Sequence, residues 1–155
     1  MNNANNLESS VQFSVFLAGK PGLLGRIVQN LADNKVNLLA MSMMDAGDHG
    51  VLRLVAEKTG AVRKALNDLD VAHTETTVLM SSLSNKPGAI ADVVERLDQE
   101  HIQVHYAYCT SGARNGKALG VFKVANQPKA VQVLSGRKPR RKISATARRG
   151  KGGRK

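Results

Sequence analysis

The feature that most constrains this chain is an internal repeat. Lys20-Pro21-Gly22 recurs as Lys86-Pro87-Gly88, an offset of 66. The apolar positions that follow recur at the same offset: Leu24, Ile27, Val28 and Leu31 answer to Ile90, Val93, Val94 and Leu97. Both sets stand at i, i+3, i+4 and i+7, one stripe of an amphipathic helix. Val36-Asn37-Leu38 then answers to Ile102-Gln103-Val104. After extra residues around 111–117, residues 51–55 realign with 120–124 at an offset of 69. A tripeptide, a helix stripe and a strand in one register imply two copies of one unit.

Each copy reads in the same order. Residues 11–18 form a strand, with Val11, Phe13, Val15 and Leu17 on one face. Pro21-Gly22 breaks it, and a helix of about three turns follows, since proline suits a first turn. Residues 36–44 and 51–56 are two strands joined by a Gly/Asp turn over 45–50. Val62, Ala65, Leu66 and Leu69 mark a second helix. Residues 72–83 form one long extended stretch that closes the first unit and opens the second.

The fold class expected is α+β: two tandem ferredoxin-like βαββαβ units, with antiparallel sheets and helices on one face. The expected layout is a flexible N-terminus over 1–10, one domain over 11–76, a second over 77–136, and a basic disordered tail over 137–155. Residues 142–146 offer a weak final strand for the second unit. On the second strands, Val36, Leu38, Ile102, Val104, Tyr106 and Tyr108 are expected to face the helices. Leu39, Met41 and Met43 make the opposite face of the first unit apolar. Units of this size bury only about 60% of their unfolded surface. They should therefore pack together, with a homodimer as the expected assembly.

Charge divides the chain. It carries 23 Lys+Arg against 12 Asp+Glu, a net +11. Ten of the basic residues lie in 137–155, leaving 13 basic and 12 acidic residues in 1–136. A near-neutral body thus carries a basic tail. The single cysteine, Cys109, excludes an internal disulfide framework. The polar N-terminus is unlike a signal peptide and no apolar run is long enough to span a bilayer, so a cytoplasmic location without membrane insertion is expected.

The turn, helix and Val-Asn-Leu strand opening resemble the ACT domain, and two copies cover about residues 11–136. The resemblance implies a regulatory module that binds small molecules, most often amino acids, in a cleft between paired units. It places the ligand at the turn after the first strand and at the start of the second strand. Carried over position by position, this assigns Gly19, Lys20, Pro21, Gly22, Leu23, Leu24 and Asn37 in the first copy. In the second it assigns Asn85, Lys86, Gly88, Ala89, Ile90 and Gln103. Gly22 and Gly88 let a ligand approach the backbone, and the helix start favours a carboxylate. Asn37 offers an amide donor and acceptor. Leu23, Leu24, Ala89 and Ile90 line the side-chain pocket. Each copy holds half of the usual polar pair: Asn85 where the first copy has Gly19, and Asn37 where the second has Gln103. A site joining Asn37 to the Asn85 turn restores both.

No catalytic set is legible. Ser81, Ser82 and Ser84 lack a glycine elbow, and residues 112–118 lack the phosphate-loop spacing. His101, His105 and Cys109 on a strand are too far apart for joint metal ligation. The expectation is no enzyme activity, no metal and no cofactor. The alternative reading is a nucleic-acid-associated protein whose body pairs its basic arms. Its contacts are Arg137, Lys138, Arg140, Arg141, Lys142, Arg148 and Arg149 on phosphate backbones. Without an aromatic residue the tail has no means of stacking on bases. A purely structural scaffold is a third possibility.

Overall fold

The computed structural model describes residues 7–45, 49–110 and 116–136, with the side chain of Asp45 outside that description. The first unit contains β1 (Leu7–Leu17), α1 (Leu23–Asp33), β2 (Leu38–Asp45), β3 (Gly50–Ala56) and α2 (Thr59–Asp68). Then come β4 (His73–Ser84), α3 (Ala89–Gln99), β5 (Val104–Thr110), β6 (Lys117–Val124) and α4 (Gln127–Leu134). The mixed α+β class and the repeated element order agree with the sequence reading.

The strands form one antiparallel sheet of order β2-β3-β1-β4-β6-β5 rather than one sheet per unit. The long strands β1 and β4 are shared. The second half of β1 opens the first unit, while its first half pairs with β4 as Leu7↔Ser81 through Ser10↔Val78. That half fills the place of the second unit's final strand. So β1 begins four residues before the expected start, and Leu7–Ser10 belong to the sheet rather than to a flexible N-terminus. The boundary expected at 76/77 falls inside β4. The alternative final strand at 142–146, and the whole basic tail, lie outside the described residues.

All four helices cover one face. The first-unit core joins Phe13, Val15 and Leu17 of β1 to Ile27 and Leu31 of α1 and to Val62 and Leu66 of α2. The second joins Leu79 and Leu83 of β4 to Val93 and Leu97 of α3 and to Ala130 and Leu134 of α4, with Leu7 packed against it. Leu7 and Phe13 stand at odd positions of one strand, so both cores lie on the same side of the sheet.

Two β-bulges overturn part of the face assignment. The register shifts between Leu38 and Ala40, and again between Val104 and Tyr106, at equivalent points of the repeat. An extra residue in a strand reverses every later side chain. Tyr106 and Tyr108 therefore do not face the helices. They pair with Lys123 and Val121 on the opposite face. Met41 and Met43 pair with Leu54 and Leu52, which places them on the helix side at the sheet edge. The same pairings align residues 54 and 56 with 122 and 124, an offset of 68 rather than 69.

The face without helices is not flat. Ala40 of β2, Val55 of β3, Val78 and Met80 of β4 and Val121 of β6 form a third core, with Tyr108 of β5 packed on it. β2 and β5 stand at opposite edges of the sheet yet touch. The sheet thus curls until its edges approach, which covers the apolar second face from within the same chain.

Candidate ligand-binding site

The two repeated turns have matching geometry. Gly22 and Gly88 hold the cap positions of α1 and α3 in the left-handed region, at φ 78° and 89°. A Cβ at either would meet no heavy atom within 4 Å, so backbone angle and not crowding demands glycine there. In both turns the amide after the glycine bonds back to the lysine: Leu23 N–H donates to Lys20 O (3.3 Å) and Ala89 N–H to Lys86 O (3.4 Å). Neither helix has a side-chain cap. The second and third N–H groups, those of Leu24 and Gly25 in α1 and of Ile90 and Ala91 in α3, have no partner among the described residues, whereas in α4 the Asn126 side chain accepts from Lys129 N–H at 3.1 Å.

The second turn opens onto a cleft of about 350 Å³. Two of the expected residues, Lys86 and Ala89, line it; Asn85, Gly88, Ile90 and Gln103 do not. The remaining walls are Leu83, Ser84, Asp92, Glu95, Arg96 and Gln99. The sequence reading missed the last four. They stand at i, i+3, i+4 and i+7, a polar stripe as regular as the apolar one. Lys86 and Arg96 set two cations against the carboxylates of Asp92 and Glu95. Arg96 is held by a guanidinium hydrogen bond to the carbonyl of Val133 at the end of α4.

At the strand openings, Asn37 Nδ2 donates to Glu57 Oε1 at 2.9 Å, and Glu57 N–H donates to the Asn37 carbonyl at 3.3 Å. The second unit repeats the backbone bond, from Ala125 N–H to Gln103 O at 2.9 Å. With alanine in place of Glu57, Gln103 lacks that carboxylate partner. Asn37 lines none of this cleft, whose walls all come from residues 83–99. The first turn, with Gly19 at φ 56°, Lys20, Pro21 and Leu24, lies at the far end of the antiparallel pair β1–β4. Leu23 is buried in the first-unit core, so it lines no surface pocket.

Three further groups stand elsewhere. His101 adopts φ 54° in the turn before β5, so it does not share a strand with His105 and Cys109. Among the described residues, no three His, Cys, Asp or Glu side chains gather as a metal set. His73 is half-buried on β4, its Nδ1 2.9 Å from the Val71 carbonyl and its ring beside Phe13. The expected phosphate-binding residues Arg137, Lys138, Arg140, Arg141, Lys142, Arg148 and Arg149 lie outside the described residues.

A family model described as an ACT domain pair matches residues 9–140. The chain belongs to this ACT domain pair family. A solved protein of Bacteroides thetaiotaomicron is 32% identical, with a TM-score of 0.77, over 84% of this chain and 90% of that one. Two regulatory subunits of aspartate kinase share the fold. That of Thermus thermophilus has TM-score 0.61 at 10% identity, over 86% of this chain and 98% of its own. That of Thermus flavus has TM-score 0.62 at 8% identity, over 87% and 94%. A comparison with curated proteins gives no significant match. No described helix of this ACT pair is long and apolar enough to cross a membrane.

Proposed function

We propose that this ACT domain pair is a non-catalytic regulatory protein that binds an amino acid at the second turn. The observation that carries the reading is the charge-balanced cleft beside an uncapped helix start. A free amino acid is a zwitterion, and two cations with two carboxylates match both of its ends. Lys86 and the open N–H groups of α3 take the carboxylate. Asp92 and Glu95 take the ammonium. Ala89 and Leu83 leave an apolar wall for a side chain.

The family supports a regulatory module, and the aspartate kinase regulatory subunits share its fold. Regulation then follows from unequal ligand affinity for two packings of the units or of two copies. The homodimer belongs to this reading. Val28 on α1 and Met41 and Met43 on the edge strand β2 are 38%, 48% and 54% exposed, an apolar strip suited to a second copy.

The test is calorimetry of the full chain against the twenty amino acids. The expected result is saturable heat for one or a few, weakened about tenfold or more in Asp92→Asn and Lys86→Gln. An equal loss in Asn37→Ala would place the site between two copies, because within one chain Asn37 bonds to Glu57 and lines none of the cleft. Absence of saturable heat across the panel refutes the proposal.

A further inference from the structure

The curled face of the sheet holds a second cleft, of about 380 Å³, far in chemistry from the first. Ser14 and Phe16 of β1, Val51 and Arg53 of β3, Thr74 and Thr76 of β4, His105 and Tyr106 of β5 and Lys123 of β6 line it. Its volume falls within the roughly 300–1,000 Å³ of small-molecule pockets. Two fixed cations and a histidine stand on its walls, and no carboxylate does. Glu75, the nearby acid of β4, is turned to the helix side, where it takes two hydrogen bonds from Arg63 at 2.6 and 2.7 Å.

Tyr106 brings the two cations together. The Arg53 guanidinium lies over its ring, 4.3 Å from the centroid. Lys123 is its cross-strand partner. The phenol is fixed in turn by Gln12, whose Nε2 donates to it at 2.8 Å. Among the described residues, neither Arg53 nor Lys123 makes an ion pair. Stacking occupies the face of a guanidinium and leaves its donor edge free for oxygen ligands. Ser14, Thr74 and Thr76 add hydroxyl donors, and Phe16 and Val51 supply a short apolar wall.

We infer that this cleft is a site for a small organic anion, held by Arg53 and Lys123 through carboxylate or phosphate oxygens. Two like charges in one cleft repel, and an anion between them removes that cost while gaining charge-assisted hydrogen bonds. The site is built from both repeats: β1 and β3 come from the first and β5 and β6 from the second. An anion bound there therefore ties the units across the curl. It is independent of the amino-acid cleft, shares no residue with it, and stands or falls separately.

The chain supplies its own reporter. It has two tyrosines and no tryptophan, and both tyrosines contact Gln12 beside this cleft. The basic tail contains neither residue, so anions collected there leave tyrosine emission unchanged. The full chain is titrated with inorganic phosphate and, separately, with succinate, at constant ionic strength held by chloride. A saturable change in tyrosine emission is expected with at least one, and the probe that produces it distinguishes phosphate from carboxylate recognition. Arg53→Gln and Lys123→Gln should each weaken it by about tenfold or more, and Lys64→Gln on the outer face of α2 should not. Lys123 is half-exposed, so its variant keeps the test sound if Arg53→Gln fails to fold. No saturable change with either probe overturns the inference. Equal weakening by Lys64→Gln overturns it as well, because the effect would then follow net charge alone.

Discussion

Gln12 is fully buried, and its amide bridges strands that are not neighbours in the sheet. Its Nε2 donates to Tyr106 Oη at 2.8 Å and to Ser14 Oγ at 3.1 Å, while Tyr108 Oη donates to its Oε1 at 3.0 Å. Gln12→Leu keeps most of the volume and removes every one of these bonds. Each lost bond costs about 1 kcal/mol net, and a phenol left without a partner costs about 1–3 kcal/mol. Both tyrosines are only half-buried, so water reaches the freed groups and the lower end applies. We expect a loss of about 2–3 kcal/mol, read by urea unfolding followed by far-ultraviolet circular dichroism. At about 4 °C per kcal/mol for a body of this size, the melting temperature falls by about 10 °C. The control is the same substitution in a Tyr106→Phe, Tyr108→Phe background. No phenol is stranded there, and the cost should shrink to below about 1 kcal/mol. A loss under about 0.5 kcal/mol, or an equal loss in both backgrounds, would refute the idea that this network holds the curl closed.

Two other outcomes follow from the same geometry. Burial pushes the Tyr108 phenol well above the usual tyrosine range; the neighbouring Tyr106 adds to the rise and Arg53 opposes it. A raised phenol stabilises the fold below its ordinary value near 10, and that stability is lost as pH climbs toward the folded-state value. Absorbance at 295 nm should therefore complete its two-tyrosine rise only together with loss of circular dichroism; two phenols ionising reversibly near pH 10 in an intact fold would contradict this. Deleting residues 1–10 removes Leu7–Ser10 from β4 and uncovers the second-unit core. A cost of about 2 kcal/mol is expected, with faster amide exchange in β4 around Val78–Ser81; unchanged exchange there would show that β1 does not complete the second unit.

The candidate amino-acid site was half legible. The Pro-Gly turns mark the break before each helix, but the expected place of proline in the first helical turn does not hold: Gly22 and Gly88 take the cap position in the left-handed region, and α1 and α3 begin only after them. Lys86 and Ala89 follow from the turn itself. Asp92, Glu95, Arg96 and Gln99 were overlooked, although their helical spacing could have shown them as one face of α3. Asn37 stands one residue before β2 rather than inside the strand, and its tie to Glu57 depends on the pairing of β2 with β3.

Sequence by itself determined the repeat, the order of strands and helices, the two Pro-Gly turns and the core positions Ile27 and Leu31 of α1 and Val93 and Leu97 of α3. These follow from periodicity and backbone preference within about a dozen residues. Only the tertiary structure decided how the units share a sheet. One extra residue in β2 and one in β5 reverse the faces beyond them, which carried Tyr106 and Tyr108 away from the helices and toward Gln12. Leu7 completes the unit that opens with β4, and Arg53 reaches Tyr106 across the curl. No local pattern encodes such pairings. They are fixed by which hydrogen-bonding edges and apolar faces remain uncovered once each half has formed.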